Sequence, residues 1–221
     1  MYSRRRKRIT PWSSWVLTIA IAIVAIMTWT DFHLPSETAA QWGMVPQTYW
    51  LQWTQGSWLD QNRWTFPISA IFLHKDLIHL TGNLLFILVF SMRIERHIGH
   101  WLLLGLCLSC GGLANICAAW QTPNSLAPII GASGITAAVL GAYLILFPRA
   151  KVGVILPLGF YWQLIHINAS LLIGSWFALQ LLYSIANPTF GAVAWWTHVA
   201  GFVTGLLLAA IARMFGIKVN E

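Results

Sequence analysis

The chain has 221 residues, of which 57% are hydrophobic and 9% charged, with 14 tryptophans and a formal net charge of +7. That balance excludes an ordinary soluble domain, and long apolar stretches edged by tryptophan indicate an integral membrane protein embedded in a lipid bilayer. The basic residues lie scattered between apolar runs and form no single basic face, which argues against nucleic acid as a partner.

No repeat, linker or low-complexity tract interrupts the sequence, so it reads as one membrane domain over 13–215. A basic segment, 1–12, precedes it and a short tail, 216–221, follows it. The basic cluster Arg4, Arg5, Arg6, Lys7 and Arg8 stands before an apolar run from Trp15 to Trp29. The pair resembles the n- and h-regions of a signal peptide, but no small-residue cleavage site clearly follows and the run is long enough to span. Helix 1 is therefore expected as a retained anchor.

Asp31 to Phe66 is polar and irregular and carries Trp42, Trp50, Trp53, Trp58 and Trp64. Such a loop is expected to rest among the lipid headgroups, where an amphipathic ring is favoured. Helix 2 is predicted over Ile68 to Arg93, helix 3 over Trp101 to Trp120 and helix 4 over Ile130 to Phe147. Val152 to Asn168 is mixed and reads as an interfacial segment, followed by helix 5 (Ala169 to Ala186) and helix 6 (Trp195 to Phe215). Cys107, Cys110 and Cys117 share one apolar run, and their odd number favours buried, unpaired thiols over a redox or metal site.

Charge placement supports six spans. Threading them puts Arg4 to Arg8, Arg93, Arg96, Arg149, Lys151, Arg213 and Lys218 on one side, with only Arg63 and Lys75 on the other. The positive-inside rule then places both termini in the cytoplasm.

Four polar residues now fall in the outer half of the bilayer: Ser133 at the start of helix 4, His79 and Asn83 near the start of helix 2, and His198 near the start of helix 6. Trp195 and Trp196 mark the interface, and His198 lies only ~3–5 Å of helix rise beyond them. His79 and Asn83 are four apart and share a helix face. Ser133 belongs to Gly131-Ala132-Ser133-Gly134, after Pro128. A serine there can cap the helix, and the free N–H groups of its first turn favour an anion. The same small residues also serve close helix packing, which is the competing reading.

Gly201-x-x-x-Gly205 on helix 6 permits close contact with helix 4, which is small at Ser133, Gly134, Ala137 and Gly141. If those faces meet, His198 can take the proton of Ser133 as it attacks a carbonyl, while His79, Asn83 and the Ser133 N–H hold the oxyanion. Taken singly, His198 reads at least as well as an interfacial or interhelical hydrogen-bonding residue, and for Asn83 alone a polar clasp between helices is the favoured reading. A metal held by His74, His79 and His198 is a weaker alternative, because acidic and thiolate partners are lacking. His33, His97, His100 and His166 read as loop or interfacial residues.

These motifs resemble the rhomboid family of intramembrane serine proteases. The matching features are His74-x-x-x-x-His79-x-x-x-Asn83, Glu95-Arg96-x-x-Gly99, Gly131-Ala132-Ser133-Gly134 and His198-x-x-Gly201-x-x-x-Gly205, in that order. The resemblance implies an all-α, six-helix membrane bundle and a Ser133–His198 dyad with no acidic third member and no cofactor or metal. It also implies oxyanion binding by His79 and Asn83, and closure of the cytoplasmic end by Glu95 and Gly99. Implied substrates are single-span or other membrane proteins cut in or beside a transmembrane segment near the outer face. The implied location is a bacterial inner membrane.

Two departures stand out. Ala137 occupies a position where many members have an aromatic residue packed on the catalytic histidine, so another group, with helix 6 as one source, must orient His198 or the dyad is looser. Arg63-Trp64 reverses the usual Trp-Arg order of the first loop. A catalytically silent rhomboid-like protein that binds membrane clients is the alternative, and a transporter is disfavoured because paired intramembrane carboxylates are lacking.

Overall fold

The computed structural model describes residues 9–55, 62–158, 161–186 and 195–215. Arg4 to Arg8, Trp58, Lys218 and the tail 216–221 lie outside the described residues. The elements run α1 (Trp12–Thr28), α2 (Ser36–Trp42), α3 (Pro46–Gln55), α4 (Asn62–Phe72), α5 (Leu77–Ile98), α6 (His100–Gln121), α7 (Ser133–Leu146), β1 (Lys151–Leu158), β2 (Tyr161–Asn168), α8 (Ala169–Ala186) and α9 (Trp195–Met214).

The architecture is a helical, polytopic membrane bundle. Of the helices that fall within the six expected spans, α5, α6, α8 and α9 are long and apolar enough to cross a membrane. The other two, α1 and α7, are shorter at 17 and 14 residues. A helix apolar on every face belongs in an interior. That describes α7, which buries every residue from Gly134 to Tyr143 and packs against α5, α6 and α9.

Contact between α7 and α9 is set by glycine. A Cβ on Gly201 would collide with the Gly134 carbonyl, one on Gly205 with the Ala138 backbone, and one on Gly141 with the Phe202 carbonyl. The two backbones therefore touch directly, as small-residue helix faces allow.

Two sequence expectations change, and a third segment gains a defined form. The predicted helix 2 is broken into α4 and α5 by the turn 73–76, because Asp76 caps α5 by accepting a hydrogen bond from the His79 N–H (2.8 Å). Apolar stretches on both sides hid the polar break His74-Lys75-Asp76, although Asp before such a run is an N-cap signal. The loop from Asp31 is not irregular throughout, since it contains α2, α3 and the start of α4. The mixed segment after α7 is an antiparallel hairpin, paired from Lys151↔Asn168 to Leu158↔Tyr161. Its Val152, Val154, Ile155, Tyr161, Trp162, Ile165 and Ile167 are β-branched or aromatic, which suits a strand.

Cys107 and Cys110 are buried free thiols, but Cys117 is exposed. It shares the outward stripe of Leu113 and Trp120, spaced i, i+4 and i+7 on α6.

At the α5–α6 junction the buried Glu95 carboxylate accepts hydrogen bonds from the Ser13 and Ser14 N–H groups and the Ser14 hydroxyl. It thereby caps the start of α1, whose N-cap residue Pro11 supplies no side-chain bond. His100, with no role assigned from sequence, pairs with Glu95 through Nδ1. Gly99 turns the chain between α5 and α6 at φ +89°, a conformation suited to glycine.

Candidate active site

The segment before α7 is held on three sides. Ile129 and Met44 exchange backbone hydrogen bonds, and the Gly131 N–H donates to the Ala70 carbonyl at 2.8 Å. The Ala132 N–H donates to Nε2 of His74 at 3.3 Å. Gly131 has φ +110°, and a Cβ there would lie 2.6 Å from His79 Cε1, 2.9 Å from His79 Nε2 and 3.8 Å from Asn83 Nδ2. Only glycine satisfies both the conformation and the crowding. His79 and Asn83 thus converge on the backbone two residues ahead of Ser133.

Ser133 does not cap its helix, contrary to the sequence reading. Ala132 is the N-cap residue and Ser133 the first helical residue, and no side chain caps this end. The Thr136 N–H makes the first helical bond, to the Ala132 carbonyl. Among the described residues, the N–H groups of Ser133, Gly134 and Ile135 have no backbone acceptor. The first turn of a helix leaves such donors open, and here its hydroxyl is not spent on them.

Asn83 is only partly committed. Its Nδ2 lies 3.2 Å from His74 Nε2, and its Oδ1 accepts from the Thr136 hydroxyl at 3.1 Å. One amide hydrogen remains, on a nitrogen close to Gly131. His74 is fully buried in the turn between α4 and α5. With Nε2 accepting from the Ala132 N–H, the imidazole is neutral. Nδ1 carries the hydrogen toward the Phe72 carbonyl, and Nε2 accepts from Ala132 and Asn83.

His198 lies on α9 between Thr197 and Gly201, the residues that meet Gly134. Among the described residues no hydrogen bond joins Ser133 to His198. The Nδ1 atom of His198 is engaged elsewhere, 2.6 Å from Oε1 of Gln180. This partner comes from α8, whereas the sequence pointed to helix 6. Trp176 of α8 and Trp195 flank the same ring, with centroids at 6.0 and 5.8 Å.

Thr136 and Gln180 were not assigned site roles from the sequence, and His74 entered there only through the family motif and the metal alternative. Gln180 carried a signal, as a carboxamide within an otherwise apolar span. Thr136 carried none, because its role depends on which face of α7 meets α5. No group of three His, Cys, Asp or Glu among the described residues is arranged to hold a metal.

The Rhomboid domain family model matches residues 61–215. The chain is similar to rhomboid protease GlpG of Serratia proteamaculans (strain 568), 33% identical over 165 residues, covering 73% of this chain and 52% of that protein. It is also similar to the proteins of that name from Yersinia pestis (strain Pestoides F) and Yersinia pseudotuberculosis serotype O:3 (strain YPIII). Each is 30% identical over 198 residues, covering 88% of this chain and 59% of the relative. The chain thus spans a little over half the length of the curated relatives it matches. With the apolar bundle, its glycine-set α7–α9 contact and a family match running from α4 to the end of α9, the chain is an integral membrane protein that belongs to the rhomboid family.

Proposed function

We propose that the chain is an intramembrane serine endopeptidase, acting on membrane proteins in or beside a transmembrane segment. The observation that carries this reading is the convergence of His79 and Asn83 on Gly131, beside the uncapped first turn that bears Ser133. In this reading Ser133 Oγ attacks the scissile carbonyl carbon while its proton passes to His198 Nε2. The developing oxyanion is held by His79, the free Asn83 amide hydrogen and the Ser133 N–H. His198 then returns the proton to the leaving amine as the C–N bond breaks. Water, giving a proton to His198, next attacks the acyl ester; the bond from the acyl carbon to Ser133 Oγ breaks and Oγ takes that proton back from His198.

Depth supports the same reading. A 14-residue helix rises ~21 Å against a hydrocarbon core of ~30 Å, so an α7 anchored at its inner end starts ~9 Å below the outer boundary. Water must reach Ser133 through the protein, and the substrate helix must unwind there, because an intact helix hides its carbonyls. The basic asymmetry of the sequence favours cytoplasmic termini, and the bacterial sources of the relatives favour an inner membrane. The unit carrying this activity is the membrane domain 13–215.

The second reading, a silent client-binding member, is favoured by Ala137 and by the lack of a Ser133–His198 hydrogen bond among the described residues. Fluorophosphonate labelling of the detergent-solubilised protein separates the two. Wild type is expected to label and Ser133→Ala is expected not to. A folded wild-type protein that stays unlabelled overturns the protease reading.

A further inference from the structure

We infer that Gln180 is a positioning residue for His198, fixing the imidazole so that Nε2 faces the nucleophile. This rests on the proposed Ser133–His198 chemistry. An amide oxygen only accepts, so the 2.6 Å contact assigns the ring hydrogen to Nδ1, with Nδ1–H donating to Gln180 Oε1. Nε2 is left as the free lone pair that a general base needs.

The surroundings make this a fixed arrangement. Gln180 is 8% exposed and is the only carboxamide side chain in α8. An amide buried among apolar residues finds a partner or costs stability, and here that partner is the histidine ring. Trp176, one turn earlier on α8, flanks the ring, and Trp195 of α9 meets it edge-on at an interplanar angle of 85°. α8 therefore presents a hydrogen-bond acceptor and an aromatic plane to one imidazole. This answers the orienting role left open by Ala137, whose methyl cannot reach across a ring.

A purely architectural Gln180 would affect folding and leave nucleophile activation alone. The test compares Gln180→Met, which keeps the length and removes the acceptor, with Gln180→Glu, which keeps an oxygen at the same reach. In detergent-solubilised, thermally intact protein, Gln180→Met is expected to slow fluorophosphonate labelling of Ser133 and lower kcat by about tenfold, the loss of one hydrogen bond, with KM unchanged. Gln180→Glu is expected to recover most of the labelling rate. Gln180→Leu serves if Gln180→Met does not fold.

In unmodified protein labelled with ¹⁵N-histidine, the His198 signal, assigned by its loss in His198→Ala, should be that of the Nδ1–H tautomer. Labelling of folded Gln180→Met at the wild-type rate, or an Nε2–H tautomer, overturns the inference while leaving the protease reading intact. A wild type that does not label removes both.

Discussion

At the residue scale, His79 and Asn83 occupy one face of α5 and reach the same glycine, yet their circumstances differ. Asn83 is held by His74 and Thr136 and offers one remaining hydrogen, whereas His79 presents its ring edge directly to Gly131. Loss of an oxyanion donor costs ~10²–10³ in turnover, about 3–4 kcal/mol. His79→Ala and Asn83→Ala are each expected to lower kcat for cleavage of a single-span substrate toward that extent. Sharing between the donors softens each single loss. Asn83→Ala should also reduce thermal stability, since it removes the side-chain bonds that tie α5 to His74 and to Thr136, whereas His79→Ala should not. Steady-state kinetics with thermal denaturation in detergent measures both. Wild-type turnover in both variants would remove the oxyanion assignment.

At the scale of elements, α7 is the short central helix and α9 is seated on it by backbone contact. A Cβ at Gly205 would meet Ala138 backbone atoms that no side-chain rotation can clear, whereas one at Gly174 of α8 would meet nothing within 4 Å. Gly205→Ala is expected to cost about 1–3 kcal/mol through overpacking and to reduce cleavage by moving His198 relative to Ser133. Gly174→Ala should be neutral or stabilising by up to ~1 kcal/mol, because alanine is the better helix residue. Denaturation midpoints of the pair separate backbone contact from any general effect of losing glycine. The start of α1 is fastened differently, by the buried Glu95 carboxylate on its first N–H groups, so the first and fifth helices are linked through polar atoms where their ends meet.

At the scale of the whole molecule, the segregation of Lys and Arg along the sequence favours one orientation of the bundle. Reporter fusions at the C-terminus and within the Asp31 to Phe66 loop are expected in opposite compartments, the first cytoplasmic and the second external. A shared compartment would remove the six-span threading. The site's chemistry depends on this orientation, because the starts of α5, α7 and α9 lie at one end of the bundle and would open to the same face.

The sequence by itself determined the apolar helices and the membrane environment, since hydropathy and chain length act along one dimension and need no partner. Its ordered motifs also pointed to the family. Boundaries slipped where a short polar turn separates two apolar stretches, as at Leu73 to Asp76, and strand character after α7 was hidden in a short mixed segment. Tertiary structure alone decided which polar atoms meet. His74 accepts from an amide 58 residues away, Thr136 donates to a side chain 53 residues away, and Gln180 receives His198 across 18 residues. Each meeting depends on how two helices are rotated about their axes. That rotation is set by packing: the small-residue faces of α7 and α9 hinted at their contact, but which side chains meet depends on both partners at once.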